Sequence, residues 1–361
     1  MIASSNESFL PYTKETLDKL AAKHPPPHPD TNLPDPPSDL SSFNVSKEEV
    51  RKMIQSFRNG SSGGADGLTP GHLKDLSGEK FALGNRLCEA LATFYNKIVF
   101  RGLVPDEVYE IFYGAKLFGL AKPNNDVRPI AIGCTLRRLG CKLAMSRSHS
   151  ICASIIRPHQ VGVGVKRGAE SSVHALRRLV CDVECEDWVI LKVDMANAFN
   201  QVRRDKVLEK VKDVAPQLFP MAWQAYGKPT KLLFGEHCLM SCEGVQQGDV
   251  LGSLLFSLAI QDMVNECRSP FNSWYLDDGV LGADPKTIEE DYLRLVDSAA
   301  ALGLRVKPDK CQISILNPRN SGVIQSLLRI EPEFKVIDIA SLDLLGAPHS
   351  PCCCAHFGKE A

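Results

Sequence analysis

The segment Tyr275-Leu276-Asp277-Asp278 constrains the fold of this chain more than any other, because it places two adjacent carboxylates inside a short apolar stretch. Apolar residues flank Asp278-Gly279, and an Asp-Gly pair between two such runs is a strong signal for a two-residue β-hairpin turn. Two neighbouring acids at a hairpin tip repel each other, so they are either solvated or neutralised by a cation. The hairpin therefore predicts either an ordinary surface turn or part of a metal site.

The bulk properties of the chain are those of a globular protein. Its 361 residues are 44% hydrophobic and 24% charged, which is enough for two or three subdomains with a sizeable core. The N-terminus lacks the pattern of a signal peptide, and no apolar stretch reaches the roughly 20 residues that span a bilayer. We therefore expect an intracellular protein, cytoplasmic or nuclear, that has no membrane partner.

The cysteines give no clear framework. All 13 are scattered without a CxxC pair or a histidine at zinc-finger spacing. Reduced thiols are the favoured interpretation, and a structural zinc is the less favoured one. The cluster Cys352-Cys353-Cys354 near the C-terminus matches no pattern that would assign it a role.

Charge is unevenly distributed along the chain. The formal net charge is −1, yet residues 122–178 carry eleven lysines and arginines against two acidic residues. A basic segment of this kind indicates either a surface that meets phosphate groups or a set of solvated helix faces. Charge alone favours neither interpretation.

Proline and capping patterns divide the chain. Residues 1–45 contain a short helical pattern at 16–20 and then runs of proline that exclude helix and central strand, which predicts an extended leader or linker. Ser46-Lys47-Glu48-Glu49 is a capping box, so the first folded element is expected near residue 46. A second capping box, Thr287-Ile288-Glu289-Glu290, predicts an amphipathic helix that ends at Gly303.

Two polar loops interrupt the apolar elements of the middle region. Residues 111–120 are apolar and predict a strand, and the proline-bracketed loop after them carries Lys122 and Arg128. The polar loop around Gln247 and Gly248 precedes an apolar helix that begins near Leu251. The sequence thus predicts a hairpin with cations at its tip and, further along, a polar loop before a buried helix.

A third candidate position is Asp194, which follows the continuous apolar run 188–193. Such a run predicts a buried strand, and a carboxylate at the end of a buried strand is either a helix cap or part of a site. Taken alone, Asp194 is better explained as a cap. A second carboxylate on a separate strand would reverse that preference.

The order of these features resembles a known family. A cationic hairpin tip, a strand ending in Asp194, a Gln-Gly loop before a helix and the Tyr-Leu-Asp-Asp hairpin occur in the same order in the reverse transcriptases of non-long-terminal-repeat (LINE-like) retrotransposons. The resemblance runs from about residue 50 to residue 346 and rests on the joint match of several motifs. A single YxDD match would be weak support.

The resemblance implies an α+β fold of the right-hand polymerase type, with fingers and palm, in which an antiparallel palm sheet packs on helices. It divides the chain into a Pro-rich leader (1–45), a fingers-like region with the basic segment (46–180), a palm with the catalytic motifs (181–346) and a disordered Cys-rich tail (347–361). The helical thumb of the family is expected to be missing from this sequence.

The resemblance also implies a metal site. Asp194 and Asp277 match the palm carboxylates that hold two Mg²⁺ ions, with Mn²⁺ as the alternative ion, and Asp278 is the neighbouring acid of the same motif. Two-metal phosphoryl transfer needs carboxylates from separate strands, because the ions lie about 3.5–4 Å apart. We therefore expect Asp194 and Asp277 to lie at the same edge of one sheet.

The nucleotide-binding residues implied by the family are Lys122, Arg128, Phe199, Gln247, Gly248, Tyr275 and Lys310. Lys122 and Arg128 match cations that grip a triphosphate. Phe199 matches the aromatic residue that excludes a ribose 2′-hydroxyl, although an ordinary core phenylalanine is the alternative. Leu345-Gly346 resembles the short strand that grips the primer.

The function implied is that of an RNA-directed DNA polymerase, which transfers deoxynucleotides to a primer 3′-hydroxyl. Its partners would be an RNA template, a DNA primer, deoxynucleoside triphosphates and a partner that supplies thumb function. The alternative is a truncated or domesticated retroelement relic that binds nucleic acid without polymerising. An RNA-dependent RNA polymerase is a third possibility, which Phe199 disfavours.

Overall fold

The computed structural model describes residues 8–38, 42–79, 82–122, 125–181, 188–316 and 322–348. The helices are Lys14–Ala22 (α1), Lys47–Gln55 (α2), Pro70–Leu76 (α3), Ala82–Phe94 (α4), Asp106–Tyr113 (α5), Thr135–Ile156 (α6), Gly168–Val180 (α7), Ala198–Gln201 (α8), Arg204–Val214 (α9), Phe219–Tyr226 (α10), Gly252–Glu266 (α11), Pro285–Ala301 (α12) and Gly322–Ile330 (α13). The strands are Ala115–Ala121 (β1), Val127–Gly133 (β2), Val189–Val193 (β3), Thr230–Phe234 (β4), His237–Ser241 (β5), Phe271–Tyr275 (β6), Asp278–Ala283 (β7), Gln312–Ile315 (β8), Lys335–Val336 (β9), Asp343–Leu344 (β10) and Ala347–Pro348 (β11).

The chain folds into two compact units. Unit 1 comprises Met1–Cys152 and Phe199–Ala259, and unit 2 comprises Ala153–Ala198 and Ile260–Ala361. Both units combine sheets with helices, in agreement with the predicted mixed class. The boundaries predicted from the sequence at residues 45, 180 and 346 stay predictions.

Unit 1 is built on a four-stranded sheet in the order β2-β1-β4-β5. The pairs β1–β2 and β4–β5 are antiparallel hairpins, and β1 pairs with β4 in parallel. One face of this sheet is covered by α1, which buries Leu17 and Leu20 against Leu117, Val127 and Phe234. Apolar side chains at alternate strand positions therefore form one core with the helix.

The proline-rich segment predicted as a leader is extended, and it packs on unit 1. The backbone N–H of His28 donates to Glu243 Oε2 at 2.7 Å, and Trp223 Nε1 donates to the Pro34 carbonyl at 3.1 Å. Side chains of unit 1 thus satisfy backbone groups that a proline-rich segment cannot pair within itself. Helix α1 is folded into the core of unit 1 as well, so the prediction that the first folded element starts near residue 46 is wrong.

Unit 2 contains a five-stranded sheet in the order β6-β7-β3-β8-β9. Strand β3 lies at its centre and pairs antiparallel with both β7 and β8, while β9 adds to β8 in parallel. The strand predicted before Asp194 is confirmed, and the acid follows its last residue. A separate two-stranded hairpin, β10–β11, turns through Leu345 and Gly346, both of which have positive φ.

The predicted position of the acidic hairpin turn is wrong by two residues. Tyr275 pairs with Asp278 and Trp274 with Gly279, so the turn residues are Leu276 and Asp277, and Asp278-Gly279 belongs to β7. The glycine is required by packing, because a Cβ there would lie 2.6 Å from the ring of the buried Trp274. Of the two acids, only Asp277 lies in the turn.

Other local predictions also need correction, and one helix was not predicted. Residues 111–113 end the helix α5 instead of starting a strand. The N-cap of helix α12 is Asp284, three residues before Thr287 of the predicted capping box, and Pro285 supplies the first helical position. Helix α13 was not predicted. Ala347 and Pro348 of the predicted tail form β11, and the rest of that tail, with Cys352-Cys353-Cys354, lies outside the described residues.

Within the described ranges, no helix is both long and apolar enough to cross a membrane.

Candidate active site

One edge of the sheet in unit 2 carries the three predicted metal-binding acids. The central strand β3 is almost entirely buried and ends at Val193, so Asp194 leaves the sheet directly after it. Val193 pairs with Gly279 of β7, and Asp194 and Asp278 are the next residues along these two antiparallel strands. The register therefore brings Asp194 to the edge that also holds the turn with Asp277.

The turn itself has a strained first residue. Leu276 adopts φ +61° although it is 4% exposed and carries a branched side chain. A positive φ at this position suits a type II′ hairpin turn, where glycine is the usual residue. The left-handed conformation costs a non-glycine residue about 1–2 kcal/mol. Surrounding contacts must therefore hold this turn in place. Asp277, the second turn residue, and Asp278, which follows it, are half-buried.

The segment that carries Lys310 is attached to the main chain around Asp194. The backbone N–H of Lys307 donates to the Asp194 carbonyl at 2.8 Å, and the N–H of Asp194 donates to Cys311 Sγ at 3.4 Å. Lys310 ends the short 3₁₀ turn between these two residues and is exposed. Burial raises the pKa of the Cys311 thiol to about 11, so a neutral sulfur supports Asp194.

The donor set at this edge fits divalent cations of the Mg²⁺ type. Carboxylate oxygens are the ligands that such hard ions prefer, and here they come from two adjacent strands. No group of three or more His, Cys, Asp or Glu side chains forms a ready-made metal cluster in the described part of the chain. This is compatible with Mg²⁺, which is commonly held by one or two carboxylates together with substrate phosphates and water.

The remaining predicted site residues lie in unit 1, apart from Tyr275, which is in β6 of unit 2. They are Lys122, Arg128, Phe199, Gln247 and Gly248. Lys122 follows β1, and Arg128 lies in β2 opposite Leu120, so the predicted hairpin with cations near its tip is confirmed. The backbone N–H of Lys122 donates to the Asp126 carbonyl at 3.0 Å and closes the loop.

Helix α1 supports this cationic hairpin from outside the loop. Lys23 forms a 2.8 Å ion pair with Asp126, and Lys19 Nζ donates to Asn125 Oδ1 at 2.8 Å. Burial by itself would raise the pKa of Asp126, but the hydrogen bonds from Lys23 and from the Val127 N–H outweigh it, and the pKa is lowered. Asp126 is therefore a carboxylate at neutral pH.

The polar loop at Gln247 docks on the strand that carries Arg128. The N–H of Ala131 donates to the Gln247 carbonyl at 2.7 Å. Gly248 has φ +110°, and a Cβ there would lie 2.5 Å from the Ala131 carbonyl oxygen, so only glycine fits. Gln247 Oε1 is buried and lacks a hydrogen-bond partner among the described residues. A buried acceptor without a donor is what a ligand group can satisfy.

A buried ionic network lies beneath this loop. Arg137 is 2% exposed; its guanidinium binds Asp249 Oδ2 at 2.6 Å and Gln246 Oε1 at 2.9 Å. The Tyr226 hydroxyl donates to the same Asp249 oxygen at 2.5 Å, and Gln246 Nε2 donates to Thr230 Oγ1. Both residues that flank Gln247-Gly248 are therefore anchored by the core of unit 1.

The pKa values of this network follow from burial and its partners. Burial alone would raise the pKa of Asp249, but the Arg137 guanidinium and the Tyr226 hydrogen bond lower it below its usual range. Burial is also the main cause that raises the pKa of Tyr226 well above 10. The network is therefore an ionised Arg–Asp pair with a neutral tyrosine at neutral pH.

Phe199 lies in the core of unit 1 and touches the same loop. Its ring stacks on Phe256 with centroids 4.6 Å apart and an interplanar angle of 12°, and it is 7% exposed. The Phe199 carbonyl accepts the Val245 N–H at 2.7 Å. These contacts agree with a core phenylalanine, and its role as a sugar gate stays a prediction.

Residues 120–343 match the family model described as reverse transcriptase (RNA-dependent DNA polymerase). The chain belongs to the reverse transcriptase family. The match covers the cationic hairpin, Asp194, the Gln247 loop and the acidic turn, which are the features that carried the resemblance in the sequence.

Two curated relatives of this reverse transcriptase domain are proteins of transposable elements. The chain is 26% identical over 300 residues to the retrotransposable element SLACS 132 kDa protein of Trypanosoma brucei gambiense, a match over 78% of this chain. It is 26% identical over 231 residues to the probable RNA-directed DNA polymerase from transposon BS of Drosophila melanogaster, over 60% of this chain. Each match spans 24% of the relative, so the chain covers about a quarter of their length.

Among solved structures, one similar chain comes from the structure of telomerase from Candida albicans in complex with a TWJ fragment of telomeric RNA. The TM-score is 0.42 at 13% sequence identity, over 58% of this chain and 43% of that one.

The fold changes the interpretation of the basic segment of this reverse transcriptase. Of its eleven cations, Arg137 is buried against Asp249, and Arg147 forms a 2.7 Å ion pair with Glu49. Arg137 is therefore a scaffold residue and not a phosphate contact. The proposed role of the other cations in binding the template backbone stays a prediction.

Two residues that support the site loops were missed in the sequence. Arg137 is one of the eleven cations of the basic segment, and Gln160 matches none of the motifs. Gln160 is fully buried and contacts Leu276. A buried polar side chain needs a hydrogen-bond partner, but nothing local identifies which residue that partner is.

Proposed function

We propose that this chain is an RNA-directed DNA polymerase domain that transfers deoxynucleotides to a primer 3′-hydroxyl at the edge formed by Asp194 and the Asp277-Asp278 turn. The pairing of Val193 with Gly279 carries the proposal, because it sets carboxylates from two buried strands side by side. In the family's terms, the five-stranded sheet of unit 2 is the palm, and the cationic hairpin of unit 1 belongs to the fingers.

The roles of the acids follow from their chemistry. Asp194 and Asp277 hold the divalent cations, and Asp278 adds negative charge at the first position of β7. With Mg²⁺ bound, such a site activates the attacking hydroxyl and neutralises the leaving pyrophosphate. The strained turn keeps Asp277 at the tip of the hairpin, where a substrate can reach it.

The substrate contacts come from the remaining site residues. Lys122 and Arg128 bind the triphosphate of the incoming nucleotide, because an ammonium and a guanidinium both suit phosphate oxygens. Gln247 Oε1, which is buried without a protein donor among the described residues, accepts a hydrogen bond from the bound nucleotide. The family resemblance also assigns nucleotide binding to Tyr275, Gly248 and Lys310, and it gives Phe199 the role of favouring deoxyribose over ribose.

The nucleic-acid partners follow from the same proposal. An RNA template and a DNA primer bind through their phosphates to exposed cations of the basic segment, which gives salt-dependent and largely sequence-independent affinity. The Leu345-Gly346 turn contacts the primer. A partner that supplies thumb function stays part of the prediction.

The test is primer extension on poly(rA)/oligo(dT) with dTTP and Mg²⁺. We expect incorporation by the unchanged chain, and a loss of about 10²–10³-fold or more in Asp277→Asn, since a charge that acts on the reacting centre is removed. Asp297→Asn, an exposed acid on α12 of the same unit, is the matched control and should change the rate less than twofold, in line with an ordinary surface substitution.

Three outcomes would contradict the proposal in different ways. No incorporation at any protein concentration, together with retained RNA binding, indicates the relic that binds without polymerising. Equal activity of Asp277→Asn and the unchanged chain removes the acidic turn from the site. A preference for UTP over dTTP on the same template identifies an RNA polymerase.

A further inference from the structure

Residues 159–162 meet the acidic hairpin from the side. Their backbone runs beside β6: the Trp274 N–H donates to the His159 carbonyl, and the Val161 N–H donates to the Trp274 carbonyl, both at 2.8 Å. Gln160 lies between these two bonds and is 0% exposed. Its side chain therefore points into unit 2 within reach of the hairpin.

The carboxamide of Gln160 binds both backbone polar groups of Leu276. Gln160 Oε1 accepts the Leu276 N–H at 2.7 Å, and Gln160 Nε2 donates to the Leu276 carbonyl at 3.2 Å. The same Oε1 accepts the Gly162 N–H at 3.1 Å, which orients the amide. One side chain thus satisfies the donor and the acceptor of the residue that precedes Asp277.

These contacts meet a specific need of the turn. Leu276 is the residue with φ +61°, and its backbone groups are buried with it. A buried N–H or C=O without a partner is strongly unfavourable, and a left-handed leucine persists only where its surroundings fix it. A carboxamide offers an acceptor and a donor at once, which an ionised carboxylate or an apolar side chain of the same length does not.

Gly162 completes the arrangement. A Cβ on this residue would lie 2.8 Å from Leu276 N and 2.9 Å from Leu276 Cγ. The absence of a side chain at Gly162 lets the strained leucine pack directly on the 159–162 backbone. The turn is therefore held by an amide on one side and by close backbone approach on the other.

We propose that Gln160 is a positioning residue of the active site, which fixes the Leu276-Asp277 turn and thereby the place of the Asp277 and Asp278 carboxylates. The catalytic effect rests on the proposed function of the acidic turn, whereas the support of the turn by Gln160 does not depend on that function. Gln160 touches neither substrate nor cation; it acts through the backbone of Leu276.

The test compares Gln160→Leu and Gln160→Glu with the same substitutions at Gln261. Gln261 is equally buried in unit 2, so it matches Gln160 in residue type and burial. Its amide nitrogen donates to Asn265 on its own helix, and its Oε1 has no hydrogen-bond partner among the described residues. Glutamate keeps the acceptor for the Leu276 N–H but places an oxygen against the Leu276 carbonyl. It should therefore impair the turn with little change in side-chain volume.

In primer extension, we expect both Gln160 variants to lower kcat about 10–10²-fold, because displacement of a reacting group by about 1 Å has effects of that size. The Mg²⁺ concentration for half-maximal rate should rise about tenfold or more, as it does when residues behind metal ligands are changed. KM for the template-primer should stay within about twofold, because Gln160 lies behind the turn. The Gln261 variants should leave the Mg²⁺ requirement unchanged.

Two readouts do not depend on polymerisation. Mn²⁺ binding, followed by electron paramagnetic resonance without nucleic acid, should weaken in the Gln160 variants and not in the Gln261 variants. Hydrogen exchange of the peptide that covers 271–281 should accelerate in the Gln160 variants while the rest of unit 2 stays protected. If the unchanged chain does not polymerise, these two measurements still decide the role of Gln160.

The proposal is overturned if Gln160→Glu folds with unchanged exchange at 271–281, unchanged Mn²⁺ affinity and an unchanged Mg²⁺ requirement. It is also overturned if the Gln160 and Gln261 variants lose activity and stability in parallel, because that describes a general core defect. If Gln160→Leu does not fold, Gln160→Glu and Gln160→Asn are compared with the same substitutions at Gln261 instead.

Discussion

The two units support their site loops by different chemistry. In unit 1, the Gln247-Gly248 loop lies on a buried ion pair between Arg137 and Asp249. In unit 2, the turn with Asp277 is held by the neutral amide of Gln160 and by a glycine that admits the backbone. One loop is thus fixed by charges and the other by uncharged hydrogen bonds.

The difference has an electrostatic reason. A cation placed behind Asp277 and Asp278 would pair with them and compete with a divalent ion for the same oxygens. A neutral amide fixes the backbone without adding a positive charge next to these acids. The loop in unit 1 carries no acid that has to stay available, so an ion pair can support it without this conflict.

The difference also has an energetic consequence. Removal of one partner from a buried ion pair leaves an uncompensated charge and costs about 3–5 kcal/mol. Loss of a neutral hydrogen bond costs about 0.5–1.5 kcal/mol, and more where a buried group is left unpaired. Single substitutions should therefore damage the support in unit 1 more than the support in unit 2.

The largest effect is expected from Arg137→Met. It leaves Asp249 buried without its cation and should lower the free energy of unfolding by about 3–5 kcal/mol. Hydrogen exchange should accelerate first around 244–252. The double variant Arg137→Met with Asp249→Leu should recover part of the loss, because neither charge remains. A double variant less stable than Arg137→Met would show that the two residues do not act as a pair.

A smaller effect is expected from Gly162→Ala in unit 2. The new Cβ would lie 2.8 Å from Leu276 N, so the turn must shift, at a cost of about 1–3 kcal/mol. Exchange at 271–281 should accelerate. Gly71→Ala in helix α3 is the control, because a Cβ there meets only Thr69 Oγ1 at 3.5 Å, and it should be neutral or stabilising. Equal behaviour of the two variants would remove close approach at Gly162 from the explanation.

The smallest effect should appear as mild acid is added to the unchanged chain. The pKa of Asp249 is lower in the folded state than its unfolded value of about 3.9, so the unfolded state binds the proton more readily. The stability that Asp249 contributes is fully present above about pH 4 and is lost as the pH falls through the folded pKa. Unfolding of unit 1, followed by exchange at 244–252, should therefore become easier below about pH 4.

Asp249→Asn is the check on this assignment. It should remove part of the pH dependence of unit 1 and leave the pH dependence of exchange at 271–281 unchanged. If the acid sensitivity of 244–252 persists in Asp249→Asn, other carboxylates of unit 1 are responsible, and Asp126 and Asp205, whose pKa values are also lowered, are the next candidates.

Most elements of the fold could be predicted from the sequence because their signals are local. The strand before Asp194, the cationic hairpin β1–β2 and the capping box of α2 all lie where the sequence predicted them. Helix α12 was misplaced because Asp284-Pro285 and the later capping box compete as helix starts. Helix α1 matched a short helical pattern, but its docking on the sheet had no local signal.

The sequence predicted the residues of the candidate site, but not the residues that hold them in place. The order of motifs named Asp194, Asp277 and Asp278, and the register of β3 with β7 brings them to one edge. Gln160 could not be assigned, because its partner is 116 residues away. Arg137, whose partner is 112 residues away, could not be separated from the other cations of the basic segment for the same reason.

The sequence by itself determined that two acids follow each other inside an apolar hairpin and that a third ends a buried strand. The tertiary structure decided which residues form the turn. The Asp-Gly pair favours a turn at 278–279 by a modest local preference, whereas a two-residue change of register would remove Trp274 from its place over Gly279 and take Gly279 out of its pairing with Val193. Burial of the whole sheet outweighs the local preference, so Leu276 takes the strained turn position. Of the two acids, only Asp277 lies in the turn.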